Sequence, residues 1–202
     1  IGIIVIEGFE SGKQTTTEFM ANEMEGLPED RGLAAGPGKK RLNIVWSKDG
    51  KRLFVRLKEI SSTKEDQKAE GEATVQVWHW KDKKLLSERI LDAEKEKNKT
   101  YQAIFFLKKN KIVPLTSKEL QNYIYSKGTD EWAIGTDNRE YLSDWDVNQY
   151  DLYRLNLKTA EKKLIETGYR THYGTQVQIS PDGTKAILWD EKDYWCYDIK
   201  ND

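Results

Sequence analysis

"RLNIVWSKDGKRLFVRLKE", residues 41–59, consists of two apolar runs joined by a short polar turn. Each run is mostly apolar and carries β-branched or aromatic residues, which is typical of a β-strand. In the turn, Asp49 can bond to its own backbone, and Gly50 can take the positive φ that other residues resist. The stretch therefore predicts an antiparallel β-hairpin with a Ser-x-Asp-Gly turn.

The same hairpin pattern recurs twice along the chain. "QVQISPDGTKAILWDEK", residues 176–192, repeats it with a proline that presets φ in the turn, and "NYIYSKGTDEWAIGTD", residues 122–137, is a degenerate copy. We predict that the turn residues have structural roles in all three copies. They are Ser47, Asp49 and Gly50, then Ser126 and Asp130, then Ser180, Pro181, Asp182 and Gly183.

Further strand-like runs follow each hairpin. After the first, "TVQVWHW" at 74–80 is predicted to be the third strand of its sheet, ahead of a charged, helix-like stretch at 83–98. After the middle copy, "YDLYRLNLKTAEKKLIE" at 150–166 supplies two strands, and "DYWCYDIKND" at 193–202 supplies one after the last copy. Strand-turn-strand-strand units that recur in order are typical of β-propeller blades.

The sequence therefore predicts an all-β fold, a partial β-propeller of about three four-stranded antiparallel blades with one helical insertion. An ordinary antiparallel sandwich with recurrent Asp-Gly hairpins is the alternative. Aromatic residues on the strands are predicted to pack between blades: Trp78, Trp80, Trp132, Trp189 and Trp195. The predicted units are 1–40, a strand of a preceding blade plus a Gly- and Pro-rich loop; 41–117, a blade with the insertion at 83–98; 118–168, a blade; and 169–202, an incomplete blade.

Residues 3–19, "IIVIEGFESGKQTTTEF", share features with a phosphate-binding loop: an apolar run, glycines and a lysine. The spacing does not fit that motif, because its two glycines are four apart and Gln14, which follows the lysine, has no hydroxyl for a magnesium ion. We interpret residues 3–6 as a strand of a preceding blade and residues 8–17 as its turn and exit. A nucleotide kinase, the alternative, requires a helix directly after this loop.

Composition excludes several function classes. Charged residues make up 33% of the chain with a net charge of -1, so there is no basic field for nucleic acid. No apolar run approaches the ~18 residues of a membrane span. Trp-flanked His79 and the acidic stretch at 144–146, which Asp151 follows, are better explained by strand packing and an Asx turn than by a metal site. No catalytic, metal or cofactor residue is predicted.

Three segments resemble one known family. "VQISPDGTKAILWDEKDYWCYDI" at 177–199 resembles the propeller blades of the prolyl oligopeptidase and dipeptidyl-peptidase-like serine peptidases. "VWHWKD" at 77–82, with the charged stretch after it, and "SDWDVNQYDLYRLNLKTAEKKLI" at 143–165 are similar to stretches of the bacterial secreted members of that family. The resemblance covers residues 41–202.

The resemblance implies a noncatalytic role. In that family the propeller sits over an α/β-hydrolase domain and restricts its substrates to short peptides, and the hydrolase carries its serine in a Gly-x-Ser-x-Gly elbow. This sequence contains no such elbow, so the chain itself is expected to be inactive. The hydrolase domain and short peptides are the implied partners, and the implied location is periplasmic or extracellular. A standalone propeller-type module that binds protein or glycan is the alternative.

The predicted propeller is also incomplete. The chain begins with Ile1 rather than Met, so we interpret it as a section of a longer protein. Because complete propellers have roughly four to eight blades, an open arc of about three would leave two blade faces uncovered. Self-association through these open ends is therefore expected.

Overall fold

A computed structural model of this chain shows an all-β fold. It describes residues 2–8, 10, 12–34, 44–60, 92, 95, 98–126, 131–142, 148–171, 177–189 and 192–201. Single-turn 3₁₀ helices lie at Ala21–Glu23, Leu107–Lys109 and Arg139–Tyr141. The strands within these residues are β1 Gly2–Glu7, β2 Thr15–Met20, β3 Arg31–Leu33, β4 Val45–Trp46, β5 Arg52–Glu59, β6 Thr100–Phe106, β7 Lys111–Pro114, β8 Asn122–Tyr125, β9 Trp132–Asp137, β10 Asn148–Asn156, β11 Lys162–Thr171, β12 Gln178–Ile179, β13 Lys185–Trp189 and β14 Tyr194–Asp198.

The strands form four antiparallel sheets, which we number in chain order. Sheet 1 is the hairpin of β1 and β2. Sheet 2 has the order β3-β5-β6-β7, with β4 also paired to β5. Sheet 3 is a four-stranded meander in the order β8-β9-β10-β11, and sheet 4 has the order β12-β13-β14. Consecutive strands are therefore neighbours in every sheet, apart from β3 and β4, which share one edge of β5.

The inner sheets are apolar on both faces, as adjacent residues of β6 illustrate. Ile104 and Phe105 are both completely buried, yet they point to opposite sides of sheet 2 and belong to different hydrophobic cores. In β9, Ala133 and Ile134 divide in the same way between the two sides of sheet 3. Because side chains alternate along a strand, such a pattern requires a packed neighbour on each face.

Three cores hold the sheets in a series. The first lies between sheets 1 and 2 and includes Phe105, whose ring meets that of Phe19 edge to face at 5.1 Å. The second lies between sheets 2 and 3, and the third between sheets 3 and 4. A two-sheet sandwich has one such core, so the sandwich alternative does not describe this part of the chain.

The two ends of the series expose apolar side chains. Ile4 and Met20 lie on the face of sheet 1 that is turned away from sheet 2, and they are 61% and 45% exposed. At the other end, Ile187 and Tyr194 lie on the outer face of sheet 4 and are 48% and 77% exposed. Both outer faces thus have the apolar character of a surface that another sheet or protein could cover.

The first forty residues differ from the prediction in two places. Thr15–Met20, of which the first part was expected to be turn and exit, is a strand that pairs with β1. Because a strand and not a helix follows Gly12, the phosphate-loop alternative is wrong. Arg31–Leu33 lies in the expected loop, yet it pairs with β5, since an open sheet edge can recruit a segment of weak intrinsic strand preference.

Sheet 2 differs from the prediction in the strand that lies next to β5. The strand that follows β5 in the sheet is β6, which pairs with β5 along seven residues from Arg52 to Lys58. The other edge of β5 is occupied by β3 and β4. Residues 74–80 themselves, and most of the predicted helix at 83–98, lie outside the described residues. The predicted boundary at 168/169 falls inside β11.

Candidate functional site

The Ser-x-Asp-Gly turns of sheets 2 and 4 have the same geometry. In the first, the Ser47 hydroxyl donates to Asp49 Oδ1 at 2.6 Å and accepts the N–H of Arg52 at 3.0 Å. The backbone N–H of Gly50 donates to the Ser47 carbonyl at 3.0 Å. Gly50 has a φ of 64°, in the left-handed region where a side chain is strained, which is why glycine stands there. The serine and aspartate side chains therefore stabilise the turn through hydrogen bonds to each other and to backbone groups.

The second turn repeats each of these bonds. The Ser180 hydroxyl donates to Asp182 Oδ1 and accepts the N–H of Lys185 at 3.0 Å, and Gly183 has a φ of 70°. Thr184 adds two bonds of its own, from its N–H and from its hydroxyl, to the Asp182 carboxylate. Pro181 occupies the second position of the turn.

The turn between β8 and β9 is described at Glu131 and at its start, but not at residues 127–130. Ser126 lies at the start, and its hydroxyl donates to the Pro181 carbonyl in the turn of sheet 4 at 2.9 Å. The turns of neighbouring sheets therefore lie side by side at one end of the series. Asp130, the other predicted residue of this turn, lies outside the described residues.

The carboxyl group of Asp182 should titrate at unusually low pH. The hydrogen bond from Ser180, followed by those from Thr184, lowers the pKa of Asp182 from 3.8 to about 2. Since the folded-state pKa is depressed, the stabilisation is fully present above the unfolded value and is lost as the pH falls from about 4 towards 2. We expect Ser180→Ala to bring the pKa of Asp182 back towards its ordinary value, which a carboxyl-carbon NMR titration measures.

Ser47→Ala is the matched control for that titration. It removes the same bond from Asp49, whose pKa is also lowered chiefly by its serine, and leaves the turn of sheet 4 intact. The pKa of Asp182 should therefore stay near 2 in this variant. A wild-type Asp182 that titrates near 3.8 would contradict the geometry of the turn.

The predicted tryptophans occupy different surroundings. Trp132 and Trp195 are partly buried and pack against the core between sheets 3 and 4. Trp189 is partly buried in β13, and its backbone N–H donates to the hydroxyl of Tyr169 at 2.9 Å. Trp78 and Trp80 lie outside the described residues.

Arg154, which the sequence did not single out, links sheets 3 and 4. Its guanidinium lies 3.8 Å from the centre of the Trp132 ring. From there Nε donates to the carbonyl of Ile199, and Nη2 donates to that of Lys200 at 2.7 Å. One side chain of β10 thus satisfies two backbone acceptors just beyond β14, in bonds that its charge strengthens.

A polar network lies at the opposite end of sheet 3 from the turns. Asp137 in β9 and Asp151 in β10 are directly paired across the strands, where two carboxylates would repel each other. The fork of Arg139 binds Asp137 at 2.8 to 3.1 Å. Asp151 accepts from the Tyr141 hydroxyl at 2.6 Å and from the Gly168 N–H at 3.1 Å. The short turn Arg139–Tyr141 therefore supplies a partner to each carboxylate.

The network shifts the acidity of its members in opposite directions. Burial raises the pKa of Asp137, but the hydrogen bonds from Arg139 outweigh burial, and the net pKa is lowered. The hydrogen bond to Asp151, with burial, raises the pKa of the Tyr141 phenol. Asp137 is thus held as a carboxylate and Tyr141 as a neutral donor, an arrangement that fixes β9 against β10.

Sequence reasoning did not single out this network. Asp151 lies within β10, inside the run 150–166 that the sequence predicts to supply two strands, whereas residues 144 and 146 are outside the described residues. The described residues hold no group of three or more His, Cys, Asp or Glu side chains that could bind a metal ion. Within them, no helix has the length and apolar character needed to cross a bilayer.

Comparison with known proteins adds no assignment to this geometry. No protein-family model matches the chain, and no curated protein matches it either. The class of protein that the geometry defines is an all-β protein of antiparallel sheets packed in series.

Proposed function

We propose that this chain is a section of a noncatalytic β-propeller, with about three four-stranded blades and a helical insertion. Its parent would be a secreted serine peptidase of the prolyl oligopeptidase type, periplasmic or extracellular. The propeller would gate and dock short peptides for an α/β-hydrolase domain elsewhere in the parent. The chain itself would have no peptidase activity.

The observation that carries the proposal is the packing of antiparallel sheets face to face in chain order. Sheets 2, 3 and 4 follow one another in sequence, and each packs on the next through a continuous apolar core. Sheet 3 is a four-stranded meander, as a blade requires. The matching turns of sheets 2 and 4 support repetition of one unit along the series.

Contacts between neighbouring turns give further support. The bond from Ser126 to Pro181 joins the turns of sheets 3 and 4, and Arg154 reaches the end of β14. Blades set around a common axis bring equivalent turns together in this way. The uncovered faces of sheets 1 and 4 would then contact further blades of the parent or a second copy of the chain.

The parent open reading frame provides the decisive test. We expect a Gly-x-Ser-x-Gly elbow downstream of residue 202, followed by the Asp and His of a serine hydrolase. A fluorophosphonate probe should label the full-length parent, and a serine-to-alanine variant of the elbow should lose the label. The 202-residue chain should remain unlabelled. A reading frame without any such elbow would contradict the peptidase assignment.

A standalone propeller-type module that binds protein or glycan is the second candidate. It is favoured by a cavity of about 430 Å³ between the turns of sheets 2 and 3, since ligand sites commonly have this size. The absence of a hydrolase in the parent, together with ligand binding by the isolated chain, would support this second candidate.

A further inference from the structure

The cavity between sheets 2 and 3 has a lining of unusual composition. Two turns border it: the one that joins β6 to β7, and the one that joins β10 to β11. Among the described residues, apolar side chains and a hydroxyl combine there with three ammonium groups and no carboxylate. The lining residues are Phe106, Lys109, Lys111, Val113, Lys158 and Thr159.

Hydrogen bonds fix the backbones of both turns, so the cavity is built into the fold. Asn110 takes a left-handed conformation with φ of 45°, and its side chain donates to the Glu23 carbonyl at 2.9 Å. In the other turn, Asn156 Oδ1 accepts the backbone N–H groups of Lys158 at 2.8 Å and Thr159 at 3.3 Å. The lysine backbones are therefore held in place before any ligand arrives.

Three glutamates stand near the lysines but outside the lining. Glu25 pairs with Lys111 at 2.7 Å, and Glu131 pairs with Lys158. Glu161 accepts from the Thr159 hydroxyl at 3.1 Å. Because exposed ion pairs contribute little to stability, the ammonium groups can exchange a glutamate for a ligand at little cost.

Lys109 carries the third ammonium group of the lining. It takes part in neither of these two ion pairs between described residues. Its charge acts on Glu25, where it adds to the effect of Lys111 in lowering the pKa of that carboxyl. Beneath these charges lie the side chains of Phe106 and Val113, which belong to the apolar packing between sheets 2 and 3. The cavity thus combines an apolar floor with a cationic rim.

We propose that this cavity binds a small organic carboxylate that carries an apolar group. The apolar group would lie against Phe106 and Val113, and the carboxylate would accept from the lysines of the rim and from Thr159. A free arylalkyl carboxylate and the C-terminus of a peptide with an apolar last residue share this chemistry. The inference goes beyond the proposed function and does not depend on a peptidase parent.

Titration of the 202-residue chain tests the proposal. The probes are 3-phenylpropanoate, acetyl-Ala-Phe with a free carboxylate, and acetyl-Ala-Phe amide, each followed by backbone NMR shifts and calorimetry. We expect at least one carboxylate probe to shift the signals of the two turns, with the amide at least tenfold weaker than the acid. Comparison of the two acids shows which source of the carboxylate the cavity prefers.

Charge reversal at two adjacent lysines distinguishes a specific binding site from general electrostatic attraction. Lys109→Glu should weaken binding of the preferred acid about tenfold, because Lys109 lines the cavity. Lys108→Glu makes the same change of net charge one residue away, outside the lining, and should alter binding less than twofold. Equal losses in the two variants, an amide that binds as tightly as the acid, or no shift with either acid would each overturn the proposal.

Discussion

Replacing Phe105 with alanine is expected to lower the free energy of unfolding by about 3–5 kcal/mol, the usual cost of removing a buried phenylalanine. Phe105 is completely buried, and its ring packs edge to face on Phe19 across the space between sheets 1 and 2. The side chain is held by β6, whose two neighbours are strands of the same sheet. The sheet cannot move inward to fill the space, so most of the cavity should persist. Chemical denaturation followed by tryptophan fluorescence measures the loss.

Ile4→Ala is the control for Phe105→Ala. Ile4 belongs to the same pair of sheets but lies on the outer face of sheet 1, where it is 61% exposed. Its truncation should change the free energy of unfolding by less than about 0.5 kcal/mol, as is usual for surface positions. Equal losses in the two variants would mean that sheet 1 does not pack on sheet 2 through Phe105.

Arg154→Met is expected to lower the free energy of unfolding by about 2–3 kcal/mol. Methionine keeps an apolar stem but removes the charge-assisted bonds to the carbonyls of Ile199 and Lys200. A hydrogen bond to a charged group contributes about 1.5–3 kcal/mol. Water can partly replace the more exposed of the two bonds, the one to the Lys200 carbonyl. The contact with the Trp132 ring is lost as well. Thermal and urea unfolding would measure the change.

Two further arginine variants test that explanation. Arg154→Lys keeps the charge but loses the planar fork, so it should recover only part of the stability. Arg56→Met removes an exposed strand arginine whose guanidinium donates to the Thr100 hydroxyl, and it should cost less than about 0.5 kcal/mol. If Arg56→Met were as damaging as Arg154→Met, the link between sheets 3 and 4 would not explain the loss.

Local sequence patterns predict the hairpin turns at 47–50 and 180–183 and the strands beside them, because the causes of these elements are local. The alternation within residues 52–57 places Leu53 and Phe54 on opposite faces, and the structure assigns them to different cores. In the turns, a side-chain hydroxyl, a carboxylate and a glycine act within a few residues of one another. Patterns of this kind depend only on short-range stereochemistry.

Pairings between distant segments could not be predicted in the same way. One partner of β5 is β6, which begins forty-one residues after β5 ends, whereas the sequence predicts the nearer strand-like run at 74–80 in that place. The partners of Arg154 and of Asp137 likewise depend on which strands become neighbours and in what register. Alternation shows that a residue faces a core, but it does not show which segment lies across that core.

The serial arrangement of the sheets determines where local unfolding should begin. Each core is shared by two adjacent layers, so loosening an outer layer exposes one new apolar surface, whereas loosening an inner layer exposes two. Local opening is therefore cheapest at the ends and most costly in the middle. Amide hydrogens in β9 should exchange with solvent more slowly than those in β13, and unfolding should advance inward from the periphery.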